Sequence, residues 1–170
     1  MTPELTFDSN IIAIAGAIIL FVIASGGSAI GTGIAAGAAC GAWKKCFAHN
    51  RPAPFTMVTF VGMPLTNTLY GMVLMNTIIG KVRNPDLETI TVGAGWILLA
   101  LCCFIGLIIG LASYTQAKAG AYACDAQGET GQGFGNYIAA VGIIEGVTIF
   151  VFAFSLFVIG EFFPKIIATI

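Results

Sequence analysis

The stretch that decides the fold reads FGNYIAAVGIIEGVTIFVFAFSLFVIG and covers residues 134–160. It contains a single charged residue, Glu145, which follows Phe134 by eleven positions and precedes Gly160 by fifteen. At ~1.5 Å rise per residue, a helix of this length extends ~40 Å, whereas the hydrocarbon core of a bilayer is ~30 Å thick. We therefore predict a transmembrane helix with a carboxylate near the middle of the membrane.

Three further runs resemble this stretch in length, and they contain no charged residue at all: 11–42, 55–80 and 89–117. The chain has 170 residues, of which 58% are hydrophobic and only 9% charged. Soluble domains have about 25% charged residues. The sequence predicts an all-α membrane protein with four transmembrane helices, spans 1 to 4, at residues ~11–43, ~55–80, ~89–124 and ~133–163. Residues 125–135, with four glycines, are the predicted third connection.

The chain also contains an internal repeat. The segment VGMPLTNTLY at 61–70 lies eighty positions before VGIIEGVTIF at 141–150, with identical or conservative residues at most positions. We predict two tandem helical hairpins in the same orientation, at residues 1–84 and 85–170.

Glycines indicate how the helices pack. Span 1 carries Gly33, Gly37 and Gly41 at four-residue spacing, and Gly27 and Gly31 form a neighbouring row. Small residues allow the close backbone approach on which helix association in lipid depends. Glycine on two adjacent faces is compatible with a helix enclosed on several sides in an oligomeric ring, and also with an ordinary four-helix bundle.

Glu145 is the candidate functional residue. No Lys or Arg lies at matching depth in the sequence, so the carboxylate needs a proton, a bound cation or a base from another subunit. The structural alternative is an acid hydrogen-bonded to neighbouring side chains. In span 2, Pro64 removes a backbone donor and frees carbonyls. Thr66, Asn67 and Tyr70 follow on one broad face, and such oxygen-rich patches suit hard cations.

These residues resemble a known family, the proteolipid or rotor-ring subunit of V-type and A-type rotary ATPases. The resemblance covers nearly the whole chain. It rests on the duplicated hairpin, the glycine-rich spans 1 and 3, and a carboxylate kept only in span 4. The stretch MPLTNTLYG at 63–71 is similar to the LPGTQGLYG stretch of bacterial sodium-type proteolipids. A prokaryotic enzyme is favoured, because the eukaryotic vacuolar form lacks the run of proline, threonine and amide.

The resemblance implies a role for each matching residue. Glu145 is the expected ion carrier, and Thr66 and Asn67 are the expected side-chain ligands, so these three would hold Na⁺ in a sodium-type site. Met63 would contribute its backbone carbonyl, and Tyr70 would hold the glutamate closed over the ion.

Two residues depart from the sodium-type pattern. Asn67 replaces a longer glutamine in span 2, and Ser113 replaces a glutamine in span 3. Gln116, one turn from Ser113, is a candidate to compensate for the shorter serine, but we expect its helical angle to fit the site poorly. The transported ion is therefore expected to be Na⁺ or H⁺, with the polar cluster favouring Na⁺, and no organic cofactor is expected.

The resemblance also implies partners. They are copies of the same chain in a ring, a stator subunit with an essential arginine, a central stalk at the first and third loops, and lipid. The net charge of −1 gives no case for nucleic acid. No GxxxxGK[ST] motif is present, so we expect a non-hydrolytic subunit. Loop charges place those two loops in the cytoplasm and both termini outside a prokaryotic cell membrane.

Two other readings stay open at this stage. A stand-alone proton-coupled secondary transporter would use Glu145 to exchange protons for a substrate, and would be expected to surround the acid with an aromatic-lined pocket. A structural channel-forming or junctional protein would leave Glu145 without a purpose.

Overall fold

The computed structural model describes residues 8–84 and 90–162, without the side chains of Glu161 and Phe162. The described residues form helices and connections but no strand. Four helices are long and apolar enough to cross a membrane, as predicted: Ser9–Ala48, Met57–Val82, Val92–Thr130 and Phe134–Gly160. For the described residues, the prediction of an all-helical fold with four helices able to span a membrane is therefore confirmed. Residues 85–89, before span 3, and the last residue of predicted span 4, at position 163, lie outside the described residues.

Span 1 is helix α1, Ser9–Ala48, which the side chain of Asp8 caps by accepting a hydrogen bond from the backbone of Asn10. Span 2 consists of α2, Met57–Gly62, a 3₁₀ turn at Met63–Leu65 and α3, Thr66–Val82. Span 3 is α4, Val92–Thr130. Span 4 is α5, Phe134–Phe157, which continues as a π-helical turn, Val158–Phe162.

The third connection is much shorter than predicted. The expectation of a loop over 125–135 is wrong, because α4 continues to Thr130 and ends at Gly131, whose φ of 67° requires a residue without a side chain. Gly128 belongs to the helix instead: a Cβ atom there would lie 2.8 Å from the side chain of Ala42. Gly128, which the sequence analysis assigns to a loop, therefore allows close packing between α4 and α1.

The paired helices α1 and α4 form the centre of the molecule, where they pack against each other more extensively than any other two elements. The row Gly27 and Gly31 lies in this interface. A side chain at Gly27 would collide with the backbone of Gly110, and one at Gly31 would lie 2.9 Å from Ala117. Small residues thus bring these two backbones together, as the sequence indicates.

The second glycine row of span 1 has a different environment. Gly33, Gly37 and Gly41 are exposed, and a Cβ atom added at any of them would meet no atom of the described residues within 4 Å. This face of α1 is therefore open.

Helix α5 lies at the periphery. It is the least buried of the four spans, and large apolar side chains such as Ile143, Phe150 and Phe154 are exposed on it. In the part of α5 after its first two turns, the polar residues Glu145, Thr148 and Ser155 lie on the covered side, where each is buried or half-buried. The carboxylate of span 4 consequently lies at the boundary between the helical core and the surface that faces lipid.

Candidate functional site

Glu145 lies on α5 and is half-buried. Each of its carboxylate oxygens accepts one hydrogen bond from another span. The hydroxyl of Tyr70 on α3 donates to Oε1 at 3.0 Å, and the amide nitrogen Nε2 of Gln116 on α4 donates to Oε2 at 3.4 Å. The carboxylate is therefore held between two neutral donors.

Tyr70 is fixed at both ends of its side chain. Its ring stacks on the ring of Phe152, with centroids 4.9 Å apart and planes inclined by 29°, while its hydroxyl reaches Glu145. Such an offset pair adds stability beyond the buried area. The tyrosine is half-buried itself and joins α3 to α5 at these two residues.

The interruption in span 2 places two further oxygens nearby in sequence. Pro64 lies within the 3₁₀ turn between α2 and α3, as expected for a residue that cannot donate to the helical ladder. The Thr66 hydroxyl, one turn before Tyr70, donates to the Met63 carbonyl at 2.8 Å. The two expected span 2 ligands Met63 and Thr66 are thus adjacent, bonded to each other and half-buried.

Asn67 links span 2 to span 3. It is fully buried, and its amide nitrogen donates to Oε1 of Gln116 at 3.1 Å. Its own oxygen, Oδ1, is buried without a hydrogen-bond partner among the described residues. Asn67, Gln116, Glu145 and Tyr70 therefore form one continuous network across three spans, and that network retains an unused oxygen acceptor.

Ser113 lies outside this network. Its hydroxyl is fully buried and lies 3.2 Å from the carbonyl of Pro64 and 3.2 Å from the hydroxyl of Ser28 on α1. No hydrogen bond within the described part of the chain joins Ser113 to Glu145. Instead the serine satisfies a carbonyl at the proline turn, so its polar atom is already engaged.

The expectation that Gln116 fits the site poorly is wrong. Gln116 is only 1% exposed and contacts both Asn67 and Glu145. Its side chain is longer than that of serine and points back along α4 toward the preceding turn, which brings its amide to the level of the carboxylate. The span 3 residue at the site is therefore Gln116.

Thr148 is a second residue that sequence reasoning omits. It lies one turn after Glu145 on α5, is fully buried, and has a hydroxyl oxygen without a hydrogen-bond partner among the described residues. The available signal is its position at i+3 from the acid, which places both side chains on neighbouring parts of one helix face. We define the Glu145 site as the residues of the hydrogen-bonded network, Asn67, Tyr70, Gln116 and Glu145. Within the described residues, no side-chain hydrogen bond joins Met63, Thr66 or Thr148 to this network.

The site has one ionisable acid and no basic partner within the described ranges. The ion pairs within the described ranges lie elsewhere, at the C-terminal ends of α1 and α4. They join Lys45 to Asp125 at 2.9 Å and to Glu129 at 3.7 Å. Within residues 8–84 and 90–162, no three or more His, Cys, Asp or Glu side chains are grouped so that they could hold a metal ion. A single carboxylate among amide, hydroxyl and carbonyl oxygens suits a proton or a hard monovalent cation better than a transition metal.

Comparison of the chain with protein-family models gives no match, and comparison with curated proteins gives none either.

Proposed function

We propose that this protein is the rotor-ring, or proteolipid, subunit of a prokaryotic V-type or A-type rotary ATPase, and that it carries Na⁺ or H⁺ on Glu145. One observation carries the proposal. A lone carboxylate within an apolar span is hydrogen-bonded to Tyr70 and Gln116 and has no basic partner in the described chain.

A bare charge is energetically costly in lipid. An acidic residue at the centre of a transmembrane helix costs about 2.5–3.5 kcal/mol on insertion scales. Two neutral hydrogen-bond donors orient the carboxylate but bring no positive charge. A bound proton or cation removes the net charge, so the acid on α5 is stable against lipid only while it is loaded.

The oxygens around Glu145 favour Na⁺ as the ion. The network at Glu145 offers the buried Asn67 oxygen, which has no partner among the described residues, and the Gln116 amide oxygen, which accepts from Asn67. The Met63 carbonyl and the Thr66 hydroxyl, which bond to each other, lie one turn earlier on span 2. Hard cations prefer such ligands. Gln116 also supplies the span 3 glutamine of the sodium-type pattern, so only the shorter Asn67 still departs from it. A proton site needs only one carboxyl and a single hydrogen-bond partner, so the additional oxygens favour Na⁺.

The transport cycle follows from the same geometry. In the closed state Tyr70 and Gln116 hold Glu145 against the helical core. Opposite the arginine of a stator subunit, a positive charge stabilises the bare carboxylate and the ion leaves. The carboxylate of Glu145 must bind a new ion before it faces lipid again. Rotation driven by nucleotide hydrolysis in other chains thereby becomes ion transport, and this chain is a non-hydrolytic subunit.

Assembly would use the open face of α1. The exposed row Gly33, Gly37 and Gly41 allows another copy to approach closely, as the interior row Gly27 and Gly31 does within the chain. In the proposed ring, each copy contributes two tandem hairpins. The first and third loops face the cytoplasm and meet the central stalk, and both termini lie outside.

Chemical labelling tests the proposed ion site. A hydrophobic carbodiimide should modify Glu145 selectively in the detergent-solubilised protein, and Na⁺ should slow the modification, because an occupied carboxylate is unprotonated and covered. Glu145→Gln should abolish labelling, whereas Glu129→Gln, at an exposed carboxylate near the end of α4, should leave it unchanged. Labelling that is indifferent to Na⁺ at every pH would exclude sodium and leave the proton.

Particle imaging tests the assembly. The protein purified in mild detergent should form closed rings of many copies. A monomer or dimer would overturn the ring assignment and favour a stand-alone secondary transporter.

A further inference from the structure

Thr148 has a buried hydroxyl oxygen without a hydrogen-bond partner among the described residues, a state that it shares with Thr32 on α1 but not with other helical hydroxyls such as those of Ser155 and Thr77. Ser155 on α5 donates to the carbonyl of Val151 at 2.7 Å, and Thr77 on α3 donates to the carbonyl of Val73 at 2.8 Å. Both bonds reach four residues back, which is the ordinary way to satisfy a helical hydroxyl in an apolar setting. The Thr148 oxygen has no such partner although the residue is fully buried, and an unpaired buried hydroxyl is unfavourable.

The position of Thr148 relates it to the Glu145 site. At ~100° per residue, Glu145, Thr148 and Phe152 lie within ~60° of one another on α5. Tyr70 contacts the first and the last of these, through its hydroxyl and its ring. Along the axis of α5, Thr148 therefore lies between Glu145 and Phe152, the two residues that Tyr70 contacts, and on the covered side of the helix. The Asn67 oxygen, at this site, is a second buried acceptor that has no partner in the part of the chain that the structure describes.

We propose that Thr148 belongs to the cation site, and that its hydroxyl holds a water molecule which completes the coordination shell of the cation on Glu145. This inference rests on the proposed cation-carrying function. The short threonine side chain lies ~4.5 Å along the helix axis from the position of Glu145, so a bridging water spans the distance better than direct contact. A buried water needs two to four polar partners, and Thr148, Asn67 and the carboxylate can supply them.

The proposal has a physical consequence for ion choice. Asn67 is shorter than the glutamine of the sodium-type pattern, so a coordination shell built from spans 2 and 3 alone lacks one oxygen ligand close to the cation. A water held from α5 would restore an oxygen there. Groups that act behind the direct ligands typically change metal affinity by about 10- to 100-fold when they are removed.

The test compares three variants of the full chain in detergent. Thr148→Val keeps the shape and removes the oxygen, Thr148→Ser keeps the oxygen, and Thr77→Val is the matched control, since its hydroxyl bonds to its own helix. The measurements are the Na⁺ concentration that halves carbodiimide labelling of Glu145 and the rise in melting temperature that Na⁺ produces. Both are repeated over a series of pH values.

We expect Thr148→Val to need about tenfold more Na⁺ for half protection and to lose most of the Na⁺-induced rise in melting temperature. Its melting temperature without Na⁺ should equal or exceed that of the wild type, because an unpaired hydroxyl is gone. Thr148→Ser and Thr77→Val should behave as the wild type. If Na⁺ protects Thr148→Val as well as it protects the wild type, the Thr148 proposal is wrong and the carrier function stands. If Na⁺ fails to protect the wild type, the sodium function and the role of Thr148 both fall.

Discussion

Replacing Gln116 by leucine is expected to weaken cation binding at Glu145 far more than replacing Ser113 by alanine. The two residues lie one turn apart on α4 and are both fully buried or nearly so. Their partners differ. Gln116 contacts Glu145 and Asn67, whereas Ser113 contacts Ser28 and the carbonyl of Pro64.

The expected magnitude follows from these contacts. A hydrogen bond to a charged group contributes about 1.5–3 kcal/mol, and the 3.4 Å separation between Gln116 and Glu145 argues for the lower end of that range. Since 1.4 kcal/mol corresponds to a factor of ten, Gln116→Leu should raise the Na⁺ requirement about tenfold, and more if the amide oxygen is itself a ligand. Ser113→Ala should lower stability by about 1 kcal/mol and leave the Na⁺ requirement within about twofold.

The assay is a Na⁺ titration of carbodiimide labelling at Glu145, with the melting temperature of each variant measured in parallel. Gln116→Leu also leaves the Asn67 amide nitrogen without its acceptor, so some loss of stability accompanies the loss of affinity. The reasoning would be refuted by the opposite pattern, in which Ser113→Ala changes Na⁺ protection strongly and Gln116→Leu does not.

Two further perturbations separate the site from the scaffold. Tyr70→Phe keeps the ring that stacks on Phe152 but removes the 3.0 Å hydrogen bond to the carboxylate. Half protection of Glu145 from labelling should therefore require about tenfold more Na⁺. The control Tyr114→Phe, at an exposed tyrosine, should leave that Na⁺ requirement unchanged. An unaltered titration for Tyr70→Phe would contradict the closing role of the tyrosine. Gly27→Ala forces a methyl group into the α4 backbone and should lower the stability measured by thermal melting by about 1–3 kcal/mol, while Gly80→Ala, in open space on α3 and outside the glycine rows of α1, should melt at least as high as the wild type. Equal melting of the two glycine variants would show that the α1–α4 contact is wrong.

The four spans were predictable from the sequence because an uncharged run longer than the bilayer is thick leaves few alternatives. The proline interruption was predictable for a similar reason, since Pro64 cannot donate a backbone hydrogen bond wherever the helix packs. The residues at which α1 and α4 end were not predictable from the sequence. Gly128 is a loop residue by composition, and only its contact with Ala42 shows that it is needed for helix packing.

The site was predictable on α3 and α5 but not on α4. Tyr70 and Glu145 form the expected pair, yet the choice between Ser113 and Gln116 depends on how α4 crosses span 2. Helical periodicity fixes the angle between those two residues and says nothing about that crossing. Thr148 was missed because a helical threonine is normally satisfied by its own backbone, and its unpaired state is visible only in three dimensions.

The central claim is that Glu145 carries the transported cation, and the most direct measurement is ATP-driven Na⁺ or H⁺ uptake into inverted membrane vesicles that contain the assembled complex. With Glu145→Gln in place of the wild-type chain, we predict that uptake ceases while the ring still assembles, because an amide cannot exchange a proton or balance the charge of a cation. Uptake at the wild-type rate by that variant would contradict the account.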